Sequence, residues 1–192
     1  MTNDYGLKIA EKRLAPHNIS TTVVKMARKV FYSFHFDNDF SRTQVVRNIG
    51  ALEGNKPVTP NKWEEVKKDG DAAIRKWIKD NIKGKSCVVV LAGAETADRK
   101  WINYELSHGW NEGKGVVAVR IHGLKDLDGE TSSAGDNPLK CVSFKNSKKT
   151  LASVAKSYNP AGNNSKEVYK SIADNIESWI DEAIQIRNDF TG

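Results

Sequence analysis

Apolar positions along the chain switch between two rhythms, one suited to strands and one to helices. Val30, Phe31, Tyr32, Ser33 and Phe34 form a β-branched and aromatic run that predicts a first strand. Polar residues 35–39 follow at once. Residues 40–52 then place Val45, Val46, Ile49 and Leu52 on one stripe, which predicts a helix. Residues 54–61 contain Gly54, Pro57 and Pro60 and read as a loop, with a short edge strand near Val58. Residues 69–82 predict a second helix, with Ala73, Ile74, Trp77, Ile78 and Ile82 at helical spacing and Gly84 as its stop. The unbroken apolar run 87–91 predicts a strand buried on both faces, broken by Gly93.

Further along, Asp98 is placed to cap a third helix over residues 99–110. Residues 116–121 predict another buried strand, 125–137 a polar loop, and 139–144 a last short strand. A turn at 159–164 leads into an amphipathic closing helix over 168–186. Strands alternating with helices specify an α/β fold, here a parallel sheet of about five strands with helices on both faces. In open sheets of this class, ligands bind beyond the carboxyl ends of the strands, where strand order reverses. In a flavodoxin-like order that point lies beside the first strand. Residues 33–39, 92–98 and the start of the third helix are therefore the segments to watch.

A length of 192 residues suits one domain, and 39% hydrophobic with 28% charged residues fits a globular chain with a real core. The expected organisation is an N-terminal extension over residues 1–26 and a domain over 27–190. A net charge of +6 is compatible with anionic ligands, but acidic and basic residues are interleaved through 62–85 and the last helix is acidic. A mixed, solvated surface explains this better than a nucleic-acid stripe, so no nucleic-acid partner is expected. Cys87 and Cys141 lie in apolar runs and read as small buried hydrophobes. No paired Cys/His spacing suggests a metal site. Neither a membrane-spanning run nor a secretory leader is evident, so the expected compartment is the cytoplasm, without a membrane partner.

Several familiar motifs fail. Gly113-Lys114-Gly115 precedes a strand and lacks the third glycine of a dinucleotide fingerprint. Residues 50–56 lack the spacing and the Lys-Ser/Thr pair of a phosphate-binding loop. His35 and His108 lie where they could approach the crevice, although a polar surface role is the commoner fate of such residues. The run Trp101-Ile102-Asn103-Tyr104-Glu105 carries more. Trp101 and Glu105, at i and i+4, share one helix face, while Ile102 and Leu106 on the adjacent face should pack on the sheet. That puts a carboxyl beside an indole at the border between core and crevice, partly desolvated. Spacing alone is equally met by an ordinary amphipathic helix with a buried Trp and an exposed Glu.

With these residues in view, the chain resembles Toll/interleukin-1 receptor (TIR) domains. The runs Phe31-Tyr32-Ser33-Phe34-His35-Phe36, Val45-Val46-Arg47-Asn48, Trp63-Glu64 and Trp101-Ile102-Asn103-Tyr104-Glu105 are most similar to the stand-alone TIR-like proteins of bacterial Thoeris anti-phage systems. The resemblance is good over 28–126 and loose beyond. It departs at Ala92-Gly93-Ala94, where the family commonly has Ser-Pro, and residues 52–61 do not resemble the long loop of receptor-type adaptors.

The resemblance implies a flavodoxin-like TIR fold and an enzyme that breaks the bond between nicotinamide and ribose in NAD. It implies Glu105 as the catalytic carboxylate. Trp101, Phe34 and Phe36 would form aromatic walls for substrate, and Ser33, Asp37 and Asn38 would hold its hydroxyls or phosphate. No metal and no separate cofactor are implied, since NAD is the substrate. The expected product is a cyclic ADP-ribose-type second messenger for a downstream effector, made by a self-associating enzyme. The competing expectation is a non-catalytic TIR module that acts only by assembly.

Overall fold

The computed structural model describes residues 28–49 and 60–191. The expected edge strand near Val58, the stripe position Leu52 and the extension 1–26 lie outside the described residues. Four strands form one all-parallel sheet in the order β1 (Val30–Phe34), β2 (Cys87–Ala92), β3 (Gly115–Arg120) and β4 (Lys156–Tyr158). β1 pairs with β2 from Val30↔Cys87 to Phe34↔Leu91, and β2 with β3 from Cys87↔Gly115 to Ala92↔Arg120. Every residue of β2 is buried, as its unbroken apolar run requires of a strand covered on both faces. The expected α/β class holds, with four strands in place of about five among the described residues.

Among the described residues, five helices surround the sheet: α1 (Phe36–Arg47), α2 (Pro60–Lys68), α3 (Gly70–Ile82), α4 (Lys100–Asn111) and α5 (Ser165–Asp189). The period of two along each strand sorts side chains between two cores. Val30, Tyr32, Val89, Leu91, Val117 and Val119 meet Val46 and Ile49 at the α1 end and Ile172, Ile176 and Ile180 from α5. Phe31, Val88, Val90, Val116 and Ala118 meet Ile74, Ile78 and Ile82 from α3 and Ile102, Leu106 and Trp110 from α4. α4 lies close on β2 because Gly109 has no side chain there; a Cβ at that point would collide with Val88.

Several expectations are corrected. α1 begins at Phe36, not at residue 40, so 36–39 form its first turn; Asp37 and Asp39 there complement the positive end of the helix. Within it, Val46 is fully buried while Val45 is 38% exposed. Residues 60–68 form α2, so 60–61 belong to a helix and not to the expected loop 54–61; Pro60 takes its first position, where a missing N–H costs nothing. Asp98 does not cap α4: Arg99 holds the cap position without a side-chain bond, and Asp98 sits at φ 57°. The expected strand over 139–144 is instead a 3-10 turn, Pro138–Cys141, started by Pro138 and capped by the Asn137 side chain, which accepts from the Leu139 N–H. Six residues with Lys140 and Ser143 among them carry no periodicity that separates strand from turn. The last strand is β4, three residues too short and too polar to announce itself. Cys87 is buried as expected, but Cys141 is only half-buried. α5 starts at Ser165 rather than at residue 168, because Asn164 caps it there: the Asn164 side chain accepts from the N–H groups of Lys166 and Glu167. Among the described residues, no helix is long and apolar enough to cross a membrane.

Candidate functional site

The chain leaves β1 for α1 on one face of the sheet and leaves β2 for α4 on the other. Neighbouring strands whose connections part in opposite directions open a crevice at their carboxyl ends. A cavity of about 370 Å³ lies there. Phe34, His35, Phe36 and Asp37 line it from the β1–α1 junction, and Asp98, Arg99, Lys100, Trp101, Ile102 and Glu105 from the start of α4. Lys67 of α2 completes the lining.

Glu105 is the innermost acid, only 7% exposed. The Ser33 hydroxyl donates to its Oε2 at 2.6 Å. Burial pushes its carboxyl up to about 8, opposed by the Ser33 hydrogen bond. No cation lies within ion-pair distance of it among the described residues. The aromatic wall is built from both sides. Phe34 and Phe36 stack with centroids 6.1 Å apart, and Phe36 meets Phe40 at 5.0 Å. Trp101 stands edge-on to Tyr104 at 6.1 Å, with the Lys100 ammonium 4.6 Å from its ring centroid. The cations stand further out in exposed ion pairs: Arg99 with Glu95 at 2.9 Å, Lys67 with Glu64 at 2.7 Å, and Lys100 with Asp71. Such pairs contribute little to stability and exchange readily for a ligand's charge.

The fold brings Glu105, Trp101, Phe34, Phe36 and Asp37 onto one cavity. Ser33 is 1% exposed and lies behind Glu105, not on the cavity wall. Asn38 is exposed outside the lining, and its backbone carbonyl accepts from Arg42 at 3.2 Å. His35 does line the cavity, with Nε2 3.8 Å from Asp37 and a buried Nδ1 that has no hydrogen-bond partner among the described residues. His108 stacks on Tyr104 at 5.9 Å and faces a different depression.

Sequence reasoning missed the scaffold beside the site. Asp39 is 1% exposed; it accepts from the Thr96 hydroxyl at 3.3 Å and pairs with Arg42 at 3.6 Å. Arg42 also donates to the Leu124 and Glu130 carbonyls at 2.9 and 3.0 Å and to Asp126 at 2.8 Å. Gly93 allows this approach, because a Cβ there would overlap the Asp39 carboxyl. The only sequence trace was the i, i+3 spacing of Asp39 and Arg42, which says nothing about partners 57 and 84 residues away.

A parallel sheet with this crevice, and a helix bringing an indole and a buried acid to it, defines a TIR-type α/β domain. A family model described as the TIR-like domain of the Thoeris protein ThsB matches residues 31–126, half of the chain, and the chain belongs to that family. It is also similar to a protein named putative cyclic ADP-D-ribose synthase ThsB1 from Bacillus cereus (strain MSX-D12), at 32% identity over 125 residues. That match covers 62% of this chain and 65% of the relative, so it spans just under two thirds of the relative's length.

Proposed function

We propose that this protein cleaves NAD at the nicotinamide–ribose bond and closes the ADP-ribosyl unit into a cyclic ADP-ribose-type signal for an effector in bacterial anti-phage defence. The observation that carries this reading is Glu105: a buried carboxyl with no cation of its own among the described residues, beside aromatic walls in a crevice at the carboxyl ends of the strands. A module that acts only by assembly has no use for such a group, since burying an ionisable side chain with a single hydroxyl partner costs stability. The name of the Bacillus cereus relative points to the same chemistry.

The nicotinamide ring of NAD is cationic and needs no acid to leave. As the C1′–N bond breaks, its electron pair passes to the ring nitrogen and neutral nicotinamide departs. The barrier lies in the oxocarbenium character left on the ribose, as in glycoside cleavage. The ionised Glu105 carboxyl stabilises that charge at close range in a site of low dielectric. Burial favours its protonated form, so the incoming pyridinium cation supplies the field that ionises it. Phe34, Phe36 and Trp101 flank the rings, Asp37 meets ribose hydroxyls, and Arg99, Lys100 and Lys67 at the mouth meet the diphosphate. A hydroxyl or ring nitrogen of the same molecule then attacks C1′ and releases a proton, giving the cyclic isomer; water in its place gives ADP-ribose. The bound geometry selects the nucleophile. Self-association of the chain completes the site.

The test is NAD consumption with product identification by chromatography and mass spectrometry. Wild type and Glu105→Gln are compared at high protein concentration and in lysate of phage-infected cells. A Glu105-dependent product with the mass of cyclic ADP-ribose supports the proposal, and ADP-ribose alone reduces it to a hydrolase. Absence of NAD loss under both conditions sinks it and leaves assembly as the working role.

A further inference from the structure

We infer that Ser33 is a positioning residue: its hydroxyl fixes one oxygen of the Glu105 carboxyl, turns the other toward the cavity, and favours the charged form that the reaction uses. The inference rests on the proposed NAD chemistry and assigns Ser33 a role distinct from a substrate contact.

β1 reads Val-Phe-Tyr-Ser-Phe, and Ser33 is its one residue without an apolar body. With a period of two, Val30, Tyr32 and Phe34 turn toward the α1 and α5 face, while Phe31 and Ser33 turn toward α3 and α4. An apolar side chain would satisfy packing at that place. A hydroxyl buried to 1% exposure costs stability unless bonded, and its bond goes to Glu105, 72 residues away.

At 2.6 Å, with Ser33 sealed behind the carboxyl and Glu105 on the cavity wall, only one of the two carboxyl oxygens is engaged. A carboxyl held by one oxygen cannot rotate freely, so Oε1 is presented to the cavity. A hydroxyl donating to a carboxylate stabilises the ionised form. Around Glu105, desolvation opposes ionisation and Ser33 is the one group that opposes desolvation.

Removing the hydroxyl should therefore act through ionisation and orientation, not through binding. For Ser33→Ala, kcat at neutral pH falls by about tenfold or more, the scale of one hydrogen bond to a charged group, with KM nearly unchanged. The rising limb of the pH–rate profile moves upward by about one pH unit, so the deficit shrinks in alkali. A merely structural role would scale the whole profile down without moving the limb, and a substrate contact would raise KM; either result overturns the inference. Should the alanine variant fail to fold, Ser33→Cys keeps the volume with a weaker donor and should move the limb the same way by less; no movement overturns it. Titration of the ¹³C-labelled Glu105 carboxyl by NMR needs no substrate. If Ser33→Ala raises that titration point while wild type leaves NAD intact, the NAD reading fails and the pairing stands. If NAD is cleaved and the titration point does not move, the pairing fails alone.

Discussion

Two buried acids flank the crevice, and they are treated differently. Asp39, on the α1 side, is 1% exposed and closed on every side by Thr96, Arg42 and the backbone at Gly93. Glu105, on the α4 side, is 7% exposed, bonded to Ser33, and open to the cavity. Burial raises both carboxyl pKa values, but at Asp39 Arg42 and Thr96 pull the other way, whereas Glu105 has only a hydroxyl. A buried acid with its own guanidinium is a clamp: it ties α1 to the loops after β2 and β3. A buried acid without a cation is left to meet the charge of a ligand. The local partners of a carboxyl, more than its burial, separate scaffold from candidate chemistry.

The widest gap should appear on substitution of each acid. Glu105→Gln keeps shape and burial and is expected to lower NAD turnover by roughly 100-fold or more, read by nicotinamide release, with the circular dichroism spectrum unchanged. Asp39→Asn should do the reverse. It leaves Arg42 short of a partner and lowers unfolding stability by about 3 kcal/mol in denaturant titration, near the low end for breaking a buried pair. An equal loss of turnover per folded molecule in both variants would erase the distinction. Gly93→Ala drives a methyl group into the Asp39 carboxyl and should cost about 1–3 kcal/mol by the same titration.

Smaller effects sharpen the contrast through pH. In the free protein Glu105 titrates at about 8, so kcat/KM for NAD should rise with pH and level off only above that value. A limb in the ordinary carboxylate range would mean that Glu105 is ionised without substrate. The same group ties stability to pH. The folded state holds the proton up to about 8 and the unfolded chain only to about 4.5, so between these values the folded state binds more protons and stability falls as pH rises. Glu105→Gln removes that loss. Above pH 7.5 its Tm should exceed that of wild type by about 2–4 °C, the shift that 1 kcal/mol produces in a domain of this size. A lower Tm would show that the carboxylate is stabilised by something other than Ser33.

How much was legible beforehand follows from the range of the forces involved. The chain by itself determined the unbroken apolar run 87–91, which suits a strand covered on both faces, and the stripe of Ile74, Ile78 and Ile82. It also determined the i, i+4 pair Trp101 and Glu105. Each of these is set by neighbours within two helical turns, where periodicity is a reliable guide. Short segments without a period, 138–144 and 156–158, were not decided by periodicity. Pro138 and the Asn137 cap turned one into a 3-10 turn, and pairing with β3 made the other a strand.

The character of the site was settled only in three dimensions. Trp101 and Glu105 named a helix face, but whether that face met solvent, core or crevice depended on where α4 lay on β2. Gly109 and the parting of α1 and α4 to opposite faces decided that. The hydroxyl partners of the two acids, Thr96 and Ser33, came from 57 and 72 residues away, distances over which no pattern in the chain reports. The sequence determined which side chains face the same way within each element. The tertiary structure decided which of them share a low-dielectric space, because desolvation and hydrogen bonding act between elements that only packing brings together.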